Sequence, residues 1–206
     1  MSKVTCDLTI SVDGYVAGPD QRPDQPLGAN GERLHRWMFE EADRHAESLE
    51  KITAAGAFVM GRNMFASGRG DWDPNWTGWW GDEPPYHAPV FVLTHYPRET
   101  ITMRGGTTFS FVTDGIESAL ARARRAADGR DVAICGGAQT VNQYLAAGHI
   151  DELRLHIAPM VLGAGERLFT GVGDIGLEPV AVSGTSLVTH VTYRIPDPPH
   201  PVNRPG

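Results

Sequence analysis

Residues 134–140, Ile-Cys-Gly-Gly-Ala-Gln-Thr, carry the clearest chemical signal in the chain. An apolar run, Val132 to Cys135, meets a Gly-Gly pair, and a helix-compatible segment begins at once. A junction of this kind bares backbone amides at a helix N-terminus. The first N–H groups have no intrahelical partner and the helix dipole is positive there, so anions are attracted. Twin glycines add backbone freedom and let a ligand approach closely. Two readings follow: a cradle for phosphate or pyrophosphate, or a tight strand-to-helix turn and nothing more. Two further junctions sit after Met60, at Gly61-Arg62-Asn63-Met64-Phe65, and after Leu93, at Thr94-His95.

These residues must be positioned by the elements around them. Val4 to Val12 alternates and is rich in β-formers, which predicts a strand. Further strands are expected over Ala57–Met60, Pro89–Thr94, Thr107–Val112, Val132–Cys135, Asp151–Pro159, Pro179–Ser183 and Ser186–Ile195. A helical spacing begins near Gly31 and carries Leu34, Trp37, Met38, Ala42, His45 and Leu49 on one stripe. Helices are also expected over Ile116–Ala127 and Ala138–Ala147, the latter closed by Gly148. Alternating strands and helices predict an α/β sheet covered on both faces, with ligands beyond the carboxyl ends of the strands. The three junctions then line one crevice, which moves the reading toward a nucleotide site.

Composition sets bounds on the rest. The chain has 206 residues, 41% hydrophobic and 21% charged, and no internal repeat or linker, so one domain is expected. A formal charge of −7 argues against a nucleic-acid surface. No apolar run is long enough for a membrane span, and the N-terminus lacks the apolar core of a signal peptide. Cys6 and Cys135 lie in apolar runs and read as buried free thiols of a cytoplasmic protein. Gly171-Val172-Gly173-Asp174-Ile175-Gly176 matches a dinucleotide fingerprint, but no clean strand leads into it and Pro179 follows where a helix should start. No zinc motif occurs, and no two of the eight histidines have ligand spacing, so no metal is expected. Pro196 to Gly206 holds five prolines and reads as a tail beyond a domain over residues 1–195.

Taken together, six landmarks resemble a known family. They are Thr9-Ile10-Ser11-Val12-Asp13-Gly14-Tyr15-Val16-Ala17, Val59-Met60-Gly61-Arg62, Val90 to His95, the Gly-Gly segment, Gly148 to Leu153, and Ala158-Pro159-Met160-Val161-Leu162-Gly163. In this order they resemble the dihydrofolate reductase-like fold. More closely, they are similar to the reductase domain of the bifunctional riboflavin-synthesis enzyme and its single-domain bacterial relatives. The resemblance implies a mixed, mostly parallel central sheet and a reductase that takes a hydride from NADPH. It implies a cofactor site built from Gly61, Arg62, Asn63 and Met64 at the phosphates, and from Leu93, Thr94 and His95 at the adenosine ribose. Cys135, Gly136, Gly137, Ala138, Gln139 and Thr140 would hold the pyrophosphate. Val16 and Ala17 would lie beside the nicotinamide, with Leu162 and Gly163 nearby. An arginine fork suits phosphate oxygens, and Arg98 is a second cation near the ribose segment. That segment has no acid of the kind that binds an unphosphorylated ribose, which favours NADPH over NADH.

The resemblance also frames the substrate. Dihydrofolate reductases carry a carboxylate just before a leucine at the start of the first long helix; here Arg33 precedes Leu34, so folate reduction is not supported. The riboflavin-type reductase reduces a ribosyl sugar imine and uses an Asp after the first strand, where Asp13 stands. Asp13 is thus a candidate to hold a substrate hydroxyl or relay a proton, or else a turn residue bonded to its own backbone. Trp72, Trp76, Trp79 and Trp80 give residues 67–89 a large aromatic surface, suited to a wall for a flat heterocycle or to a packed or dimer-contacting loop. Leu34, Trp37, Trp72, Trp76 and Trp80 are expected on the substrate side. Homodimers are common among such relatives, and a homodimer is expected. The alternative to an enzyme is a nucleotide-binding or sensing module that keeps the fold without turnover.

Overall fold

A computed structural model describes residues 2–66 and 73–196 of the chain. Eleven strands and five α-helices are present among them: β1 (Val4–Ser11), β2 (Tyr15–Ala17), α1 (Arg36–Glu40), α2 (Ala46–Thr53), β3 (Ala57–Gly61), α3 (Arg62–Phe65), β4 (Pro89–Leu93), β5 (Ile101–Thr102), β6 (Thr108–Val112), α4 (Ile116–Ala126), β7 (Val132–Gly136), α5 (Ala138–Ala146), β8 (Glu152–Ala158), β9 (Glu166–Arg167), β10 (Glu178–Gly184) and β11 (Thr189–Arg194). Nine of the strands form one sheet in the order β10-β11-β8-β1-β7-β3-β4-β6-β5. The six central strands, β8 to β6, pair in parallel. The outer strands β11, β10 and β5 run antiparallel. β2 and β9 form a separate antiparallel pair.

The alternation in β1 sorts its residues between two faces. Val4, Cys6, Leu8 and Ile10 join Leu120 and Ala123 of α4 and Val141, Tyr144 and Leu145 of α5 in one core. Each such aliphatic side chain contributes about 1.5–3 kcal/mol on full burial. On the opposite face, Phe58, Met60, Val90, Val92 and Phe109 pack against Phe65 of α3, Tyr86 and the flanks of Trp76 and Trp80. Under α1 that second face turns polar, for Asp7 lies level with Arg154 and Thr9 with His156 in the β1–β8 register.

The single helix expected from Gly31 is instead four short pieces: a 3₁₀ turn Gly31–His35, α1, a second 3₁₀ turn Ala42–His45, and α2. Glu41 breaks the run with φ −130° and ψ 31°. Its carboxylate accepts the Thr185 hydroxyl at 2.5 Å, which ties the break to the β10–β11 turn. The expected strands all form within two or three residues of their predicted ends. β2, β5 and β9 are additional and only two or three residues long. Among the described residues no helix is long and apolar enough to cross a membrane. Both cysteines are free, Cys6 buried and Cys135 half-buried. The proline-rich tail from residue 197 lies outside the described residues.

Candidate functional site

Chain reversals in a parallel sheet leave every βα junction at the same edge, the carboxyl end. The ends of β3, β4, β6 and β7 meet there around a cleft of about 1430 Å³. Gly61 to Met64 form one wall, Leu93 to Tyr96 a second, and Cys135 to Thr140 a third, with Val16 and Ala17 facing them. The three junctions singled out in the sequence therefore converge. A fourth, Val112-Thr113 with Gly115-Ile116, joins them.

The glycine pair shapes the third wall. Gly137 is the N-cap of α5, with no side-chain cap, so the amides of the first turn open toward the cleft. A Cβ added at Gly137 would meet nothing within 4 Å, so the space beside it belongs to the cleft. Gly136 has φ +130°, a left-handed value that disfavours side chains, and the Gly136–Gly137 peptide is cis. Gly61 is needed for another reason: its Cβ would stand 2.2 Å from Thr140 Oγ1, so β3 and α5 touch through a missing side chain. Arg62 lies with its guanidinium carbon 4.9 Å from the Tyr96 ring centroid, a cation–π stack at the edge of the cleft.

Several expected site residues are placed elsewhere. Leu162 and Gly163 do not line the cleft; their amides donate to Asp13, at 3.1 Å to Oδ1 and 2.7 Å to Oδ2. Asp13 also accepts from the Ser11 hydroxyl at 2.6 Å. That hydroxyl first, and then the two amides, holds its carboxyl down at about 2. Asp13 is thus a pin between the β1–β2 turn and the 160s loop, contacts that favour the turn-residue reading over the substrate-holding or proton-relay one. Leu34 and Trp37 are wholly buried and off the cleft wall. Trp37 is a core residue whose ring contacts His45, His156 and His190, because the 3₁₀ turn before α1 points it at the sheet. Trp76 is half-buried, donates its indole N–H to the Phe65 carbonyl at 2.8 Å, and is also off the wall. Trp80 does line the cleft, together with Trp79; Trp72 lies outside the described residues. Thr94 lines it too, but its hydroxyl is engaged by the Tyr96 amide at 3.1 Å. Arg98 is turned away, donating to the carbonyls of Pro74 and Trp76.

The sequence reading missed several residues of the cleft lining. Asp7, Thr9, His35 and His156 line the cleft as well, together with Met38 and Phe39. Asp7 carried a signal, since a carboxylate in the middle of an apolar strand demands a partner. Its partner is Arg154, whose Nη1 donates to Oδ2 at 3.1 Å. The histidines carried none, being far apart in the chain.

Comparison with known proteins bears on this geometry. A family model described as the RibD C-terminal domain matches residues 2–189. An uncharacterised protein from Bacillus subtilis strain 168, YyaP, is 23% identical over 175 residues, covering 82% of this chain and 81% of its own. A crystal structure of a protein assigned to riboflavin biosynthesis from Shewanella sp. PV-4 superposes with TM-score 0.65 at 21% identity, over 95% of this chain and 99% of that one. The diaminohydroxyphosphoribosylaminopyrimidine deaminase/5-amino-6-(5-phosphoribosylamino)uracil reductase of Thermotoga maritima superposes with TM-score 0.59 at 16% identity. This chain is covered over 94% and that enzyme over 56%.

Proposed function

The chain belongs to the RibD C-terminal domain family, and on that premise we propose that it is an NADPH-dependent reductase of a small heterocyclic or ribosylaminopyrimidine-like substrate. The observation that carries the reading is the convergence of three βα junctions on one cleft, with the uncapped N-terminus of α5 open into it at Gly137. The residues fit a dinucleotide. The open space beside Gly137 accepts a pyrophosphate against the first amides of α5. Arg62 supplies a planar cation for the phosphates. His95 is exposed in the wall nearest Arg62's partner Tyr96 and supplies a donor for a ribose 2′-phosphate. Val16 and Ala17 give an apolar wall for a nicotinamide.

When bound, NADPH supplies a hydride, which carries both electrons of the reduction. The protein's own part is to orient the acceptor, exclude water and supply the proton. Trp79, Trp80 and Phe39 offer aromatic faces to a flat ring. We propose a homodimer as the assembly, because all seven residues of edge strand β10 are exposed, Val180 and Val182 among them. Light scattering on the purified chain tests that.

The cofactor reading is tested by titrating the protein with NADPH and NADH while following tryptophan fluorescence. Micromolar quenching by NADPH with weaker response to NADH supports it; equal millimolar responses overturn the 2′-phosphate assignment. Turnover is tested by following NADPH oxidation at 340 nm against dihydrofolate, pterins, flavins and ribosylaminopyrimidines. NADPH binding without oxidation of any of them returns the non-catalytic nucleotide-sensing module, the reading favoured by Asp13 being tied to backbone amides.

A further inference from the structure

The part of the cleft not given to the cofactor is largely apolar. α2 carries Leu49, Ile52 and Thr53 on one stripe and the Glu47–Lys51 pair on another, and none of its eight residues is buried. The apolar stripe lines the cleft instead of joining either core. Leu27, Met38 and Phe39 line it as well, and Phe39 is 82% exposed. An apolar helix face and an open aromatic ring on one cleft wall mark a place for an apolar ligand. The volume agrees. A pocket for one drug-sized molecule measures about 300–1,000 Å³, and this cleft, at about 1430 Å³, takes more than one such molecule.

Charge in the lining runs negative. Among the described residues it holds four carboxylates, Asp7, Glu32, Glu40 and Glu166, and two guanidiniums, Arg36 and Arg62. Glu40 takes both prongs of Arg36, at 2.7 and 2.9 Å. The Asp7 side chain is 6% exposed; Arg154, which is not in the lining, donates to its Oδ2, and its Oδ1 accepts no hydrogen bond. Glu32 and Glu166 pair with no cation among the described residues. Arg62 and His95 are the groups assigned above to the cofactor's phosphates. Burial pushes His35 down, toward its neutral form. No described arginine or lysine of the lining is therefore left over for a phosphate on the substrate, a group that carries about −1.5 to −2 near neutral pH.

The fold brings the two unpaired glutamates to one point. Gly31 and Gly165 both press on the backbone at Ala17 and Gly18. A Cβ on Gly31 would stand 3.2 Å from the Gly18 nitrogen, and one on Gly165 would stand 2.0 Å from the Ala17 carbonyl oxygen. Each glycine is followed directly by a glutamate, Glu32 in the 3₁₀ turn before α1 and Glu166 in β9. Glu166 is also the antiparallel partner of Ala17 in the β2–β9 register. Ala17, with Val16, is the wall proposed for the nicotinamide. Both carboxylates therefore belong to the stretch of lining that flanks that wall.

We propose that the substrate is an unphosphorylated heterocycle with an apolar body and a basic or amino-bearing edge, held by Glu32 and Glu166. The inference rests on the reductase reading above and chooses within it, taking the small heterocycle in place of a phosphoribosylated pyrimidine. An amino N–H or a ring cation meets the carboxylates in charge-assisted hydrogen bonds. The apolar body lies on Leu49, Ile52 and Phe39. A phosphate would meet the same carboxylates with like charge. Selection then comes from repulsion as much as from attraction.

Two matched pairs of compounds test this by isothermal titration of the purified chain, with and without saturating NADPH. 4-Aminoquinoline is a cation at neutral pH, and quinoline-4-carboxylate is an anion on the same rings. Pyridoxamine and its 5′-phosphate differ by one phosphate. The aminoquinoline should bind about tenfold or more tightly than the carboxylate, and pyridoxamine about tenfold or more tightly than its phosphate. With Glu32→Gln and Glu166→Gln combined, in a chain that still melts cooperatively, the quinoline ratio should fall below about threefold. Ile52→Ser should weaken both quinolines alike, by about 3- to 10-fold, and leave their ratio unchanged. The anion or the phosphate bound as tightly as its partner, a ratio unmoved in the double variant, or no binding of either member of a pair at millimolar concentration overturns the proposal. Failure of NADPH to bind overturns the reductase reading and the substrate role with it, whereas the charge preference of the cleft is read separately from the titrations without NADPH.

Discussion

The substitution Gly137→Val separates binding from folding. Residue 137 has φ −71° and ψ −169°, an extended conformation open to any residue. A Cβ there meets nothing within 4 Å. Exchanging a glycine N-cap for valine costs up to about 1 kcal/mol of helix stability, and the reduced freedom of the unfolded chain returns about 0.4–1 kcal/mol. Stability should therefore change by no more than about 1 kcal/mol. The branched side chain would instead occupy the space over the first turn of α5. A hydrogen bond to a charged acceptor contributes about 1.5–3 kcal/mol. Losing two such amide contacts to a pyrophosphate weakens NADPH by about 10²- to 10⁴-fold, at about 1.4 kcal/mol per tenfold. Urea denaturation measures the first quantity, and titration of the fluorescence of Trp79 and Trp80, which line the cleft, measures the second. A folded variant whose NADPH affinity moves less than threefold would refute the cradle. A loss of several kcal/mol in stability would refute the open space drawn around residue 137.

Three other outcomes follow from the same contacts. Gly61→Ala should destabilise by about 1–3 kcal/mol through overpacking against Thr140, and Thr140→Ala in the same chain should recover most of it, a coupling read by a double-mutant cycle in urea. Arg62→Ala should weaken NADPH and NADH alike by about 10- to 100-fold, whereas His95→Ala should weaken NADPH alone; isothermal titration distinguishes the two roles. Asp13 has its folded pKa lowered to about 2 from 3.8, so its stabilisation is complete above about pH 4 and is lost as pH falls through 2. Thermal melts between pH 5 and 2 should show that loss in the wild type and a smaller pH dependence in Asp13→Asn, with kcat retained.

The strands that carry the cleft wall were plain in the sequence because they are buried on both faces and read as unbroken apolar runs, as in Ala57–Met60 and Val132–Cys135. Their junctions converge by topology alone. The segment from Gly31 to Leu49 was misread because a helical stripe cannot announce that Glu41 is held by Thr185, 144 residues away. A like distance hides the histidines around Trp37. His45 and His190 are 145 positions apart and meet only where the 3₁₀ turn Ala42–His45 lies against β11, while His156 joins His190 through the β8–β11 register. Trp37 was placed on the substrate side although its stripe position is also that of a core residue, and it packs in the core against the histidines. Asp13 stayed open between a turn carboxylate and a proton relay because both fit one sequence position, and the amides of Leu162 and Gly163 favour the first.

The place of β7 governs how the molecule is made. Residues 132–136 enter the sheet between two segments, β1 and β3, synthesised long before them, and join both. Until that stretch leaves the ribosome, the two earlier segments have no common neighbour and each shows a bare edge. Assembly of the sheet's middle is therefore deferred to a distant contact, which slows folding and lengthens the exposure of sticky strands. The amides proposed to hold the nucleotide adjoin this strand, which enters before β8 and the β10–β11 pair complete the sheet. A ligand that seats there would hold shut the joint on which the whole sheet depends, coupling cofactor supply in the cell to the survival of newly made chains.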